Sequence, residues 1–409
     1  MELPNLSFIL ATAILLVPVW SQEQMCPSGC HCTFNDTRVK VVCKSMEEDH
    51  LPSFSSLANK RVDSLIFETS HFDMLQAGAF RDLDIGIIAF VRCRLKEVTK
   101  YLFSGVKGVT QVVFSGCGLS VVPGEALKVL EPGLVHLDLR GNNIRNISSS
   151  DLPSGLKSLR LDGNSFLRLS QSSFSAVGDS LETLYLDAMG LDEIPTDALQ
   201  PLGKLRKLNI ERNQLTEITA ESLRGIRTSS KTLTLKLGFN QIGKISESAF
   251  DGLLSGNSRL WINVGLIGNR ISDLNFVEGL GCKLRRVRFY LPNNTLECDC
   301  HVYNITKAIP SLISSNTMCA RPPMFKDMRL GPWMPKDTDG VHFIDGGRSQ
   351  CGTGNETESK MYDCDCDLWI DSSQFDRMAG KCKTSFALPH FSQSVLVLFL
   401  LSVMAYVIA

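Results

Sequence analysis

The chain has 409 residues, 44% of them hydrophobic, and its 42 Lys and Arg residues nearly balance 43 Asp and Glu residues, for a net charge of −1. This balance excludes the strongly basic field expected of a nucleic-acid-binding protein, and no acidic tail indicates a solvating segment. The 14 cysteines, partly clustered, favour an oxidising, extracellular compartment.

An apolar run, FILATAILLVPV at residues 8–19, predicts a cleaved signal peptide over residues 1–21. The site VWS follows the run, so we expect Gln22 to become the new N-terminus. The residues before the run depart from the usual pattern because they include no Lys or Arg.

A pattern of the form apolar-x-apolar-x-x-Asn-x-apolar recurs along the chain and is clearest in HLDLRGNNI at residues 136–144. The other copies, some of them weak, are LIFETSHF (65–72), IAFVRCRL (88–95), VFSGCGLS (113–120), LRLDGNSF (159–166), LYLDAMGL (184–191), LNIERNQL (208–215), LKLGFNQI (235–242), VGLIGNRI (264–271) and FYLPNNTL (289–296). The positions equivalent to the asparagine are Ser70, Cys93, Cys117, Asn142, Asn164, Met189, Asn213, Asn240, Asn269 and Asn294. Their spacing runs from 22 to 29 residues, so this repeat period is the main structural signal in the chain.

Each repeat is too small to bury its own apolar residues. Its short strand supplies a few aliphatic side chains, and a second element between strands, such as AFRDL (79–83) or AFDGL (249–253), supplies a few more. Stacked repeats bury these side chains in one continuous core. A buried asparagine amide can also satisfy backbone groups where each strand turns. The pattern therefore predicts a solenoid of about ten repeats over residues 52–297, with parallel strands on one face.

The repeats and the cysteines around them resemble the extracellular leucine-rich-repeat family with cysteine-rich caps, in particular its lipid-anchored, connectin-, chaoptin- and Nogo-receptor-like class. The resemblance implies an α/β horseshoe with strands on the concave face, an irregular or helical convex side, and disulfide-bonded caps. For the N-terminal cap, residues 22–51, it implies the bonds Cys26–Cys32 and Cys30–Cys43. For the C-terminal cap, residues 298–351, it implies four cysteines, Cys298, Cys300, Cys319 and, after an unusually long gap, Cys351.

The sequence does not assign partners to the other cysteines. The acidic stretch DCDCD (363–367) could bind a metal through thiolates and carboxylates, but in a secreted chain we interpret its cysteines as disulfide-bonded. The pairing stays open for Cys282, Cys351, Cys364, Cys366 and Cys382. Cys93 and Cys117 stand one repeat apart, about 5 Å between strands and within disulfide reach. We favour two free buried thiols there.

The C-terminal end predicts a lipid anchor. Residues 352–385 form a cysteine-containing tail, and residues 386–409 end in the apolar run VLVLFLLSVMAYVIA. Small residues around Ser385, a short spacer and a hydrophobic terminus are typical of a glycosylphosphatidylinositol signal, with Ser385 as the attachment site. A short transmembrane segment is the alternative.

Glycosylation is predicted at five N-x-Ser/Thr sequons in the mature chain. The sequons are at Asn35, Asn146, Asn293, Asn304 and Asn355.

Alternation within the predicted strands indicates which side chains face the concave surface. The candidate ligand-binding residues are His136, Asp138, Arg140, Arg160, Asp162, Tyr185, Asp187, Lys207 and Glu211. Upstream, the corresponding positions are apolar, at Ile66, Ile87, Ala89, Val91 and Val113. The N-terminal cap or a glycan could cover this apolar stretch, or a partner could bind it.

No sequence motif indicates catalysis, a cofactor or a metal site. A nucleophile elbow, a P-loop, an HExxH helix and a dinucleotide fingerprint are all missing. The resemblance implies a cell-surface receptor or adhesion glycoprotein that binds an extracellular protein or a second copy of itself, signalling if at all through a co-receptor. The alternative is a secreted or shed protein of the extracellular matrix.

Overall fold

A computed structural model describes residues 26–35, 38–47, 51–298, 302, 305, 312–313, 316–321, 326–327 and 329–330. The predicted signal peptide, the tail and the lipid-anchor signal lie outside the described residues, as do Cys300 and Cys351.

One sheet of twelve strands runs through the described part of the chain in the order β1-β2-β3-β5-β7-β8-β9-β10-β11-β13-β15-β16. Its strands are β1 (Cys30–Asn35), β2 (Arg38–Lys44), β3 (Arg61–Glu68), β5 (Asp84–Val91), β7 (Gln111–Ser115), β8 (His136–Asp138), β9 (Ser158–Arg160), β10 (Thr183–Tyr185), β11 (Lys207–Asn209), β13 (Thr232–Lys236), β15 (Trp261–Gly265) and β16 (Val287–Tyr290). Only β1 and β2 pair antiparallel; the ten strands from β3 onward are parallel, one for each predicted repeat. This arrangement confirms the leucine-rich-repeat solenoid.

The opposite side of the solenoid carries short elements, as expected for a convex side. Two small sheets form there, β4 (His71–Leu75) with β6 (Arg94–Val98) and β12 (Glu217–Ile218) with β14 (Lys244–Ile245). The described α-helices are α1 (Gly124–Lys128), α2 (Thr196–Leu199), α3 (Ala220–Leu223) and α4 (Asp251–Gly256). The 3-10 segments are Ser55–Leu57, Ser149–Asp151, Ser175–Val177 and Asn275–Arg286. Of the described helices, none has the length and apolar character needed to cross a bilayer.

Asparagine side chains join neighbouring repeats where the strands end. The Asn213 amide donates to the carbonyls of Leu186 and Ile210, 2.9 and 3.1 Å away, and its oxygen accepts from the backbone N–H groups of Met189 and Leu191. The same bonding between repeats recurs at Asn142, Asn164, Asn240, Asn269 and Asn294. This row confirms the predicted role of the asparagine: it satisfies buried backbone groups that lack a partner in the sheet.

The first repeats use different residues at these positions. Ser70 accepts a hydrogen bond from the backbone of Met46, while the thiols of Cys93 and Cys117 donate to the carbonyls of Phe67 and Phe90. Both cysteines are free and buried, as favoured from the sequence. Burial raises the pKa of the Cys117 thiol to about 12 and also raises that of Cys93.

Phenylalanine replaces leucine in the strands of these same repeats. Phe67, Phe90 and Phe114 each lie three residues before Ser70, Cys93 and Cys117, where later repeats have an aliphatic residue. The ring of Phe90 stacks between the other two, with centroids 4.9 and 5.3 Å away. The strands of the first three repeats thus contribute an aromatic stack, whereas the equivalent positions of the later repeats are aliphatic and bordered by the asparagine row.

Disulfides close the two ends of the described solenoid. Cys26 is bonded to Cys32 and Cys30 to Cys43, as the family resemblance implies. At the other end, Cys298 is bonded to Cys319. The N-terminal hairpin pairs β2 with β3 and so extends the sheet at its edge.

Candidate functional site

The concave face is built from side chains that alternate with the buried residues of each strand. Because the parallel strands are in register, equivalent positions form rows across the sheet. Asp138 of β8 lies opposite Arg160 of β9, which lies opposite Tyr185 of β10. Residues separated by more than 20 positions in the sequence therefore become neighbours.

Tyr185 lies between two cations on this face. The Arg160 guanidinium is 4.5 Å from the centroid of the tyrosine ring, and the Lys207 ammonium is 4.9 Å from it. Lys207 also donates to the Tyr185 hydroxyl at 3.2 Å. Cation–π contacts and this hydrogen bond hold three of the predicted site residues together.

Three predicted carboxylates lie beside the row of Arg160 and Tyr185. Asp162 accepts from Arg160 at 2.9 Å and also from the backbone N–H of Asp187. Asp187 accepts from Arg212 at 2.6 Å, and Glu211 lies 3.9 Å from Lys236. Three ion pairs and one backbone hydrogen bond thus lie along the face from β9 to β13.

The pKa of the Arg160 guanidinium is raised by its surroundings. Burial by itself lowers this pKa, but the hydrogen bond to Asp162 and the charges of Asp162 and Asp138 outweigh that effect. Arg160 therefore stays a cation at any pH at which the protein is folded.

Asp138 faces the concave side but is covered, with only 7% of the residue exposed. Its carboxylate accepts from the Arg140 backbone at 3.1 Å and lies 3.2 Å from the Arg140 side chain. Burial raises the pKa of Asp138, although the charges of Arg140 and Arg160 lower it in part. Asp138 therefore orients Arg140, and it is Arg140 that reaches the surface.

We call these residues the charged belt: Asp138, Arg140, Arg160, Asp162, Tyr185, Asp187, Lys207, Glu211, Arg212 and Lys236. Its carboxylates are 10–16% exposed, whereas the arginines and the lysine paired with them are 36–60% exposed. The carboxylates are therefore largely buried in the sheet face, and the paired cations lie above them. A molecule that approaches the belt meets guanidinium and ammonium groups first.

The belt shows no catalytic arrangement. His136 is exposed at the start of β8 and lies opposite Ser158, but the nearby Asp138 carboxylate is bonded to Arg140. An open sheet face also leaves reacting groups in water. Among the described residues, no cluster of His, Cys, Asp and Glu could hold a metal ion.

The apolar stretch upstream of the belt is half-buried at Ile66, Ile87 and Val91, while Ala89 and Val113 are buried. The N-terminal cap does not cover it, because the cap strand β2 lies beside β3 with Val42 in register with Ile66. Val42 is itself half-buried, so the cap lengthens this apolar stretch.

Several residues that the sequence did not single out lie on the same side. Arg212 pairs with Asp187, while Trp261 and Tyr290 are 48% and 45% exposed on β15 and β16. Alternation extended beyond Lys236 into the last two repeats would have identified both aromatic residues. The Arg212 pair had no sequence signal, since Arg212 follows its strand in a left-handed turn with φ of 55°.

Three predicted glycosylation sites lie in the described chain. Asn35, Asn146 and Asn293 are all exposed, so each can accept a glycan without unfolding. Asn304 and Asn355 are outside the described residues.

Comparisons with known proteins agree with this architecture. The family profile described as "Leucine rich repeat" matches residues 154–215. Keratocan of Danio rerio is 25% identical over 57% of this chain and 58% of its own length. Tsukushi of Gallus gallus is 26% identical over 42% of this chain and 44% of its own. The chain thus spans about half the length of the curated relatives that it matches.

The chain is also similar to one solved structure. A chain of the octameric complex of Latrophilin 3, Unc5D and FLRT2 is 19% identical, with a TM-score of 0.49. The alignment covers 74% of this chain and 96% of that one.

Proposed function

We propose that this leucine-rich-repeat protein is a cell-surface glycoprotein that binds an extracellular protein partner, or a second copy of itself, through the charged belt. It acts as an adhesion molecule or ligand-binding receptor and not as an enzyme. A lipid anchor at Ser385 holds it on the outer face of the plasma membrane. If it transmits a signal, it does so through a co-receptor.

The exposure of the cations above their carboxylates carries this proposal. Surface ion pairs that serve only stability contribute little, with a median of about 0–1 kcal/mol. In the belt, by contrast, the acids are 10–16% exposed and pre-orient the cations that cover them. Oriented charges around a single aromatic ring are suited to specific protein recognition.

The extracellular location is supported by two features. Three disulfides close the described ends, and disulfides persist in oxidising compartments. The two terminal segments, residues 1–21 and 386–409, carry the sequence signals of export and lipid attachment.

Release by bacterial phosphatidylinositol-specific phospholipase C tests the anchor. Full-length protein on transfected cells should pass into the medium after treatment, with a known lipid-anchored protein as the positive control. Retention on cells in which the control is released would contradict the anchor. Secretion without any treatment would favour the extracellular-matrix alternative.

A cell-aggregation assay tests the binding surface. Non-adherent cells that express the full chain are mixed with labelled non-expressing cells, and cluster composition is scored. Clusters of expressing cells only indicate homophilic adhesion. If none form, the same cells are screened against a library of soluble extracellular proteins.

A matched pair of variants assigns the interaction to the belt. Tyr185→Ala with Arg160→Glu should abolish clustering or the partner binding found in the screen. The control, Tyr101→Ala with Lys128→Glu, makes the same kinds of change at exposed residues off the concave face and should leave binding intact. Unchanged binding by a folded, surface-expressed belt variant would rule out the belt as the binding site.

A further inference from the structure

A second concave surface adjoins the charged belt and shares Lys236 with it. We call it the C-terminal patch: Lys236, Trp261, Gly265, Arg288 and Tyr290. Lys236 of β13 lies opposite Gly265 of β15, and Gly265 lies opposite Tyr290 of β16. In the same row of earlier strands this position holds a side chain, such as Arg160 or Tyr185. The patch therefore has an open floor between a cation and an aromatic ring.

Gly265 leaves this floor open although neither its backbone nor its packing requires glycine. Its φ is not in the left-handed region, and a Cβ added there would have ordinary contacts, 3.7 Å from the Leu235 carbonyl oxygen. At two nearby positions, by contrast, the structure does require glycine. A Cβ at Gly238 would lie 2.7 Å from a methyl group of Ile267, and Gly268 has a positive φ of 68°.

One aromatic ring lies beside the floor, and a second lies farther along the same strand. Tyr290, on the next strand, is in register with Gly265. Trp261 lies four residues before Gly265, at about 13 Å by strand geometry, and faces the same side. Both aromatic residues are nearly half exposed, and exposed aromatic residues are typical anchors for a partner side chain.

The charge of the patch is positive. Lys236 is 41% exposed, and its nearest carboxylate, on Glu211, is 3.9 Å away and 16% exposed. Arg288 is exposed on β16, and no ion pair with it is present among the described residues. An approaching ligand therefore meets two cations and two aromatic rings, and its own complementary features are carboxylates and an apolar side chain.

We propose that the C-terminal patch binds an acidic polypeptide segment of the extracellular partner, with one apolar side chain over Gly265 and carboxylates on Lys236 and Arg288. This inference deepens the proposed function and rests on it. A sulfated glycan fits less well, because Lys236 and Arg288 lie two strands and two register positions apart, about 12 Å, with the uncharged Gly265 and Asn263 between them.

Peptide selection on the full-length chain tests this chemistry. Phage-displayed random 12-residue peptides are panned on purified protein held by a tag inserted between residues 21 and 22, after the predicted signal peptide, and the peptide selected most strongly is synthesised. The selected sequences should be rich in Asp and Glu and contain Trp, Phe or Leu. Fluorescence anisotropy then gives the dissociation constant of the synthetic peptide.

Variants assign the peptide to the patch. Gly265→Gln fills the floor and Arg288→Glu reverses a charge, and each should weaken the peptide at least tenfold. Gly252→Gln is the matched control, since Gly252 is equally open but lies on α4. Circular dichroism checks that every variant is folded. No selection, selection without an acidic bias, or affinity unchanged by Gly265→Gln would overturn the proposal.

Two further experiments distinguish an external acidic peptide from a sulfated glycan and from the chain's own acidic stretch. Binding of a heparin oligosaccharide, blocked by Gly265→Gln, in the absence of peptide selection would assign the patch to a sulfated glycan instead. The chain itself contains an acidic stretch with apolar residues, DCDCDLWID at 363–371. If Asp363→Asn with Asp365→Asn and Asp367→Asn tightened peptide binding, the ligand would come from the chain itself and the external assignment would be wrong.

Failure of this inference differs from failure of the proposed function. If the patch variants leave cell adhesion or partner binding intact while the belt variant abolishes it, only the patch assignment fails. If neither set of variants changes binding, the concave face as a whole is excluded.

Discussion

The first three repeats and the later repeats solve the same packing problem with different chemistry. In the first three, long strands of up to 8 residues carry stacked phenylalanines, and Ser70, Cys93 and Cys117 border them. In most later repeats, 3- to 5-residue strands carry leucine, isoleucine or valine beside a buried asparagine. A larger ring thus coincides with a border residue, serine or cysteine, that is no larger than asparagine.

The concave surface changes at the same boundary. In the repeats with stacked phenylalanines, the concave face carries the apolar stretch; from β8 to β13 it carries the charged belt. The asparagine row holds the later repeats through hydrogen bonds, and their strands end after three residues in several repeats. The shared repeat architecture therefore leaves each region free to carry its own surface chemistry.

The largest expected effect concerns the thiols of the aromatic region. Because burial raises the pKa of Cys117 to about 12, its thiolate fraction at pH 8 is far below that of an exposed cysteine. Alkylation of folded protein by iodoacetamide should be slower by roughly 1,000-fold than in urea, since the thiolate is the nucleophile. Peptide mapping by mass spectrometry measures the rate. Rapid labelling of the folded chain would show that this region opens locally.

Breaking the aromatic stack should cost more stability than any surface change. Phe90→Ala removes the ring between Phe67 and Phe114 and should lower the free energy of unfolding by about 3–5 kcal/mol. Urea unfolding followed by circular dichroism gives this value. Phe166→Ala is the control, because Phe166 is 68% exposed and its loss should change stability by less than about 0.5 kcal/mol.

Breaking the asparagine row should be nearly as costly. Asn213→Ala leaves the buried N–H groups of Met189 and Leu191 and the carbonyl of Leu186 without their partner. We expect a loss of about 3 kcal/mol, the desolvation cost of unsatisfied backbone groups. Asn143→Ala serves as the control, because Asn143 is an exposed asparagine directly after the buried Asn142. A loss equal to that of the control would mean that water replaces the amide.

The coupling between ring and border residue can be measured directly. Cys117→Asn should place a more polar amide beside the stacked rings, and Phe114→Leu should leave a void. The double variant should be more stable than the sum of the two losses predicts, by about 1 kcal/mol, because the residues share one layer. Additive losses in a double-mutant cycle would show that the two substitutions are independent.

The smallest expected effect is a pH dependence in the belt. Burial raises the pKa of Asp138 in the folded protein above its unfolded value, so the folded state holds the proton more tightly. Its contribution to stability is present below the unfolded pKa and is lost as pH rises through the folded pKa. Asp138→Asn removes this loss and keeps an acceptor for the Arg140 backbone. Wild type should therefore lose stability relative to the variant between acid and neutral pH; a constant difference would contradict the burial effect.

The solenoid could be predicted from the sequence, because each repeat must bury the same few apolar positions and only stacking can do so. The sequence therefore showed the ten copies, their spacing of 22 to 29 residues and the cap cysteines of the family. Alternation within HLDLR also identified His136 and Arg140 as exposed. Tertiary structure alone decided which charges pair. The contacts of Arg160 and Lys207 with Tyr185, and of Asp187 with Arg212, join different repeats. Asp138 is buried and Trp261 is exposed, although both lie at concave positions. Their exposure depends on the register of the neighbouring strands and on the length of the side chains there. Neither is encoded in a single repeat.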